Sequence, residues 1–123
     1  MIKDSFDSKD GIVTASLTGK LTIEEALEWI NSITPDRFPV RKLRILMDAS
    51  DVEYAFQPKQ VRLIISTIRD KCSGFDLVKN AAIHNTPREA AFSFLLSNHP
   101  IHNNYTHQAF STKEAAMEWL LET

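Results

Sequence analysis

The chain has 123 residues, with 14 Lys and Arg against 16 Asp and Glu and a formal net charge of −2. At ~100–200 residues per domain, 1–123 is expected to be a single domain, large enough to bury about two-thirds of its unfolded surface. Hydrophobic and charged contents of 43% and 24% exclude a disordered chain, and the absence of a basic surplus argues against nucleic acid, whose phosphates need neutralising.

The first strand is read from Ile2, Asp4 and Phe6, which alternate with polar neighbours before the turn chemistry of Asp7-Ser8-Lys9-Asp10-Gly11. Ile12, Val13, Ala15 and Leu17 make its hairpin partner, ended by Thr18-Gly19-Lys20. Thr22-Ile23-Glu24-Glu25 matches a capping box, with Leu21 and Ala26 at the staple positions. Ile23, Ala26, Leu27, Ile30 and Ile33 then form one helical stripe with Trp29 at its edge, and Pro35 and Pro39 mark a loop. Leu43-Arg44-Ile45-Leu46-Met47 reads as a strand buried on both faces and ending at Asp48.

A second helix starts at about Pro58, which suits the first helical position, and buries Val61, Ile64, Ile65, Ile68 and Cys72 before Ser73-Gly74 stops it. Val78 to His84 is the next strand. Thr86-Pro87-Arg88-Glu89 is a second capping box, opening a helix whose apolar face is Ala90, Ala91, Phe94 and Leu95. Asn98-His99-Pro100 ends it, Thr106 to Phe110 is a short last strand, and Ser111-Thr112-Lys113-Glu114 is a third box. The final helix packs through Ala115, Ala116, Trp119 and Leu120. The order ββαβαβαβα implies an α/β fold: a mixed, mainly parallel sheet entered through an antiparallel hairpin, with four helices.

The acidic opening lacks the apolar stretch of a signal peptide, and no run approaches the ~18 residues of a membrane span. Cys72 is the sole cysteine and lies in phase with a buried stripe. With no intrachain disulfide to form, a cytoplasmic protein is expected.

In open α/β sheets, ligands bind beyond the carboxyl ends of the strands. That rim is expected to comprise the ten residues Asp48 to Gln57, read as a loop, together with His84, Asn85 and Thr86. The helix start beside it offers only Gln57 as a cap, so its amides look for another acceptor: an anion, a partner's carboxylate or water. Tyr54 and Phe56 have two readings, an exposed aromatic patch or a continued strand that buries alternate residues. Asp48, Asp51 and Glu53 find no second carboxylate cluster to complete an acid/base pair or a magnesium site. His99, His102 and His107 lie in an Asn-rich stretch that reads as a polar loop, without the Cys or carboxylate ligands a metal usually adds. His84 reads as a satisfied strand-end histidine. Gly11, Gly19 and Gly74 are isolated, so there is no phosphate loop, and no Gly-x-Ser-x-Gly elbow occurs. Arg37, Arg41, Lys42 and Arg44 read as a solvated basic loop.

Three segments carry a resemblance: Gly11-Ile12-Val13 through Leu21-Thr22, the strand Leu43 to Val52, and the ending Phe110-Ser111-Thr112-Lys113-Glu114-Ala115-Ala116-Met117-Glu118-Trp119-Leu120. Together they resemble a STAS-type domain, the fold of bacterial anti-sigma-factor antagonists. The chain looks closest to an uncharacterised bacterial branch grouped with CRAL-TRIO lipid-binding domains. In the antagonists an Asp-Ser-x-Gly element opens the helix after the central strand, and its Ser is phosphorylated. The corresponding stretch here, Phe56-Gln57-Pro58-Lys59, has no hydroxyl to accept a phosphate.

The resemblance implies a non-catalytic regulatory module without a cofactor or metal, binding a protein partner or a second copy of itself. The residues expected at the contact are Asp48, Ser50, Asp51, Tyr54, Phe56, Gln57, His84, Asn85 and Thr86. The alternative it implies is a small-molecule or lipid carrier. Its apolar pocket would lie under the second and third helices, lined by Ile64, Ile65, Ile68, Phe94 and Leu95.

Overall fold

The computed structural model describes residues 1–98 and 100–122. The alternating opening pairs Ile2–Asp7 (β1) antiparallel with Ile12–Leu21 (β2) across a turn in which Gly11 takes φ +71°, a conformation costly for any side chain with a Cβ. β2 runs beyond Thr18-Gly19-Lys20 to Leu21, because its far end pairs with the next parallel strand as far as Tyr54. The capping box forms as the sequence reads: the Glu25 amide donates to Thr22 Oγ1 and the Thr22 amide to Glu25 Oε1, opening Ile23–Asn31 (α1). Trp29 stands at the stripe's edge, half-buried, with Nε1 donating to Asp4 Oδ2.

Lys42–Tyr54 (β3) is followed by a 3₁₀ turn, Pro58–Gln60, and by Val61–Cys72 (α2). Leu77–Ile83 (β4), Pro87–Ser97 (α3), Tyr105–Phe110 (β5) and Lys113–Leu120 (α4) complete the order read from the sequence. The five strands lie in sequence order, β1-β2-β3-β4-β5, with every pair after the hairpin parallel. Crossovers that each advance one strand in the same direction and share one hand place their helices on one face. Side chains of α1, α2 and α3 accordingly share the larger core with one face of the sheet, whereas Ala116 and Leu120 of α4 close a smaller core on the other.

Since the strand order never reverses, the sheet has no switch point, and the crevice that such a reversal opens at the strand ends is missing.

Five local expectations change. The ten-residue loop after Asp48 is mostly strand, because β3 continues to Tyr54 through a bulge: Ser16 faces Asp48 but Thr18 faces Asp51, so one extra residue sits in β3. The bulge reverses the alternation, which puts Val52 and Tyr54 on the core face already held by Leu43, Ile45, Met47 and Ala49. The face of α3 is rotated from the one expected: Glu89, Phe92 and Ser93 are buried, while Phe94 is 64% exposed. Thr86 does not complete a capping box, since its hydroxyl donates to Glu89 Oε1 (2.7 Å) and accepts no helix amide. α4 is capped by Thr112 in place of Ser111, with Thr112 Oγ1 accepting from the Ala115 amide. The basic loop is partly engaged as well: Arg37 pairs with Asp4, Arg41 with Asp76, and Arg44 Nε donates to the Leu120 carbonyl.

Candidate functional site

The residues read from the sequence as a rim separate into two groups. Asp48, Ser50 and Asp51 belong to the bulged stretch of β3, where Asp48 Oδ1 accepts from both the Ser50 amide (3.1 Å) and hydroxyl (2.6 Å). This is a local turn-like closure, and it spends the carboxylate on its own backbone. Gln57 and Asn85 are exposed, and the Gln57 amide donates to Gln60 Oε1 (2.8 Å). α2 itself starts at Val61 without a side-chain cap.

Tyr54, Phe56 and His84 turn inward. Of the two readings of Tyr54 and Phe56, burial is the one the fold adopts, since both are 7% exposed. Tyr54, Phe56 and Phe92 form a three-ring cluster with centroids 5.2–5.5 Å apart, over which the Arg88 guanidinium lies 5.3 Å from Phe92. Tyr54 Oη hydrogen-bonds His84 Nε2 at 3.0 Å. Glu89, buried beside them, accepts from the Tyr54 amide, from Arg88 and from Thr86. Burial alone pushes the Glu89 carboxyl up, but the hydrogen bonds from Thr86, the Tyr54 amide and Arg88, with the Arg88 charge, outweigh it and leave the group below its ordinary range. Burial pushes the Tyr54 hydroxyl up, helped by the Glu89 charge, and keeps His84 low against the opposing pull of Glu89.

A second polar chain lies deeper. Asn80 on β4 faces His107 on β5 in register, and Tyr105 stacks on the His107 ring. Asn80 Nδ2 reaches Tyr105 Oη (3.4 Å), Tyr105 Oη reaches His107 Nδ1 (3.1 Å), and His107 Nε2 is hydrogen-bonded to Ser93 Oγ on α3. His107, which the sequence places in the last strand and also groups with a polar His- and Asn-rich stretch, is a buried strand residue. Burial, with a smaller push from His84, takes its pKa down to about 3, so the ring is neutral. A neutral imidazole has one donor and one acceptor. Tyr105 Oη and Ser93 Oγ therefore meet one ring nitrogen that donates and one that accepts. Asn80 Oδ1 and His84 Nδ1 are buried without a partner among the described residues.

Between the sheet and α1, α2 and α3 lies a cavity of about 90 Å³. Leu17, Ala26, Ile30, Met47, Ile64 and Ile68 line its apolar length, the three-ring cluster closes it toward the rim, and Asn80, Ser93, Tyr105 and His107 form its polar end. Of the five residues expected to line a pocket, Ile64 and Ile68 do so; Ile65, Phe94 and Leu95 are not on its wall, which α3 supplies through Phe92, Ser93 and Leu96. Lys71 is the one charged wall residue among those described. Cys72, also on the wall, is a free thiol that burial pushes up to about 12, hence an unreactive small hydrophobe.

The polar end was legible only in fragments. Asn80 interrupts an apolar strand, Tyr105 and His107 alternate on one strand face, and Glu89 and Ser93 are one helical turn apart. Their meeting depends on strand pairing that no local spacing encodes. Among the described residues no group of three or more His, Cys, Asp or Glu is placed to hold a metal; His99 lies outside them. No described helix is long and apolar enough to cross a membrane.

No protein-family profile and no curated protein matches this sequence. A solved structure does: an uncharacterised protein of the DUF3478 family with a SpoIIAA-like fold, from Shewanella loihica PV-4. It is 16% identical, with a TM-score of 0.60, and the match covers 98% of this chain and 92% of that one. The chain therefore has a SpoIIAA-like, STAS-type fold, as the sequence resemblance implied.

Proposed function

We propose that this SpoIIAA-like fold serves as a non-catalytic binding module that holds a small, largely apolar ligand in the cavity under α1, α2 and α3. The observation that carries the reading is the cavity itself. Protein interiors close-pack to near-crystalline density with few voids larger than a water molecule. A void of about 90 Å³ in the main core forfeits contacts on every wall, and a ligand restores them. The sequence resemblance to lipid-binding domains points the same way. The Ser93–His107 pair supports a binding role over a catalytic one, because a histidine held at a pKa of about 3 takes no proton from a serine at neutral pH.

Native mass spectrometry of freshly purified protein is expected to show a co-purifying small molecule, and Ala26→Leu, which fills the cavity wall, is expected to displace it. Ligand-free protein whose core methyl NMR signals ignore added apolar solutes would overturn the reading.

A protein partner or second copy is the second reading. It moves from the rim, whose aromatic residues are buried, to the outer side of α3, where Phe94 is 64% exposed. Sedimentation of the wild type beside Phe94→Asp tests it: a dimer or complex that the substitution dissolves supports the surface, and monomers in both exclude self-association there.

A further inference from the structure

The polar end of the cavity carries information about the ligand that the apolar walls do not. Asn80 is 7% exposed, lines the cavity, and keeps Oδ1 without a partner although its Nδ2 is engaged by Tyr105. A buried acceptor left unpaired is destabilising, and native folds rarely leave one. The other polar groups at that end are occupied with one another: Tyr105 and Ser93 both hold His107. The unmet requirement is thus one hydrogen-bond donor at Asn80.

Charge narrows the class further. His107 is neutral, and the one cationic wall residue among those described is Lys71, in the last turn of α2. A carboxylate placed at Asn80 would set an acceptor against the unpaired Oδ1 acceptor. A hydroxyl donates to Oδ1. Size sets the rest. A void of about 150 Å³ admits benzene, roughly 25 Å³ for each of its six groups, so the cavity of about 90 Å³ takes about three to four groups of methylene or hydroxyl size. That is a short alkyl chain with one head group.

We propose that the ligand is a small neutral alcohol of about three carbons, its hydroxyl bonded to Asn80 Oδ1 and its alkyl group against the apolar wall. The assignment rests on the cavity-binding reading above and specifies what that site selects.

The test uses three probes of matched length, 1-propanol, propanoate and propane, titrated into the intact protein and followed by core methyl NMR shifts. Saturable binding of 1-propanol is expected, at least about fivefold tighter than either other probe, since one buried hydrogen bond distinguishes them. Asn80→Leu, which removes the amide at similar volume, is expected to erase the preference for the alcohol over the alkane while alkane binding persists. If the alkane or propanoate binds as well as the alcohol in the wild type, the head-group assignment is overturned and the cavity-binding reading stands. If none of the three perturbs the core methyls, and only waters occupy the polar end, both fall. Should Asn80→Leu fail to fold, the wild-type comparison of the three probes decides alone.

Discussion

The two faces of the sheet are built to different standards. Against α4, Ile12, Leu46, Ala81, Ile83, Ala116 and Leu120 close a small dry core in which Ala81, Ala116 and Leu120 have no exposed surface. Its edge is sealed by polar contacts that leave no buried group waiting: Lys79 Nζ caps the Trp119 carbonyl at 2.5 Å and lies 4.3 Å from the centre of the Trp119 ring, and Arg44 caps the Leu120 carbonyl. These cations sit at the C-terminus of α4, where they also complement the helix dipole. Against α1, α2 and α3 the layer is larger, yet it encloses a void, a chain of buried polar side chains and an unpaired Asn80 oxygen. Both faces are assembled from ordinary helices on one sheet, so the difference is not one of architecture. A single sheet here carries one small core in which Ala81, Ala116 and Leu120 have no exposed surface and one larger core that holds a mainly apolar cavity.

Truncation should separate the faces most strongly. Leu120→Ala removes a fully buried side chain from the dry core and is expected to lower stability by about 3–5 kcal/mol in urea denaturation. A loss below about 1 kcal/mol would mean that α4 is only loosely docked.

Acid should act on the other face. His107 is neutral in the fold at a pKa of about 3, whereas in the unfolded chain it titrates near ~6.5. Between these values the unfolded state binds the extra proton, so stability falls as pH drops below ~6.5 and this contribution stops changing below about 3. The expected slope is up to about 1.4 kcal/mol per pH unit. His84, also held low, adds in the same direction. His107→Gln should flatten the slope measured between pH 7 and pH 5; an unchanged slope would show that His107 is not the group responsible.

Enlarging an alanine offers the sharpest contrast for the smallest effect. Ala116→Leu forces methylenes into a site with no room and is expected to cost about 1–3 kcal/mol. Ala26→Leu grows into the cavity and is expected to be neutral or to stabilise by about 0.5–1 kcal/mol. Equal losses at the two positions would erase the distinction between the faces.

How far these features could be read in advance differs from element to element. Element order, the hairpin and the Thr22 cap depend on groups within four residues of each other, and local chemistry selects them whatever the rest of the chain does. α3 shows the opposite case. Its sequence, Pro87-Arg88-Glu89-Ala90-Ala91-Phe92-Ser93-Phe94-Leu95-Leu96, is apolar enough around its circumference for more than one face to qualify. Periodicity favours Ala90, Ala91, Phe94 and Leu95. The fold buries Glu89 and Ser93 with Phe92, because Glu89 meets the Tyr54 amide and Ser93 meets His107. The bulge in β3 was hidden for a related reason: an extra residue shows only against a partner strand, yet it decides that Tyr54 and Phe56 plug the cavity's end and leave the rim bare of aromatics.

What the amino-acid order determined unaided is the succession of strands and helices and the class of fold, since period, capping and turn chemistry act over a few residues. The site was decided by tertiary structure alone. The segments around Tyr54, Asn80, Ser93 and His107 are brought together by register between parallel strands and by the rotation of one helix, and both are set by contacts distant in the chain.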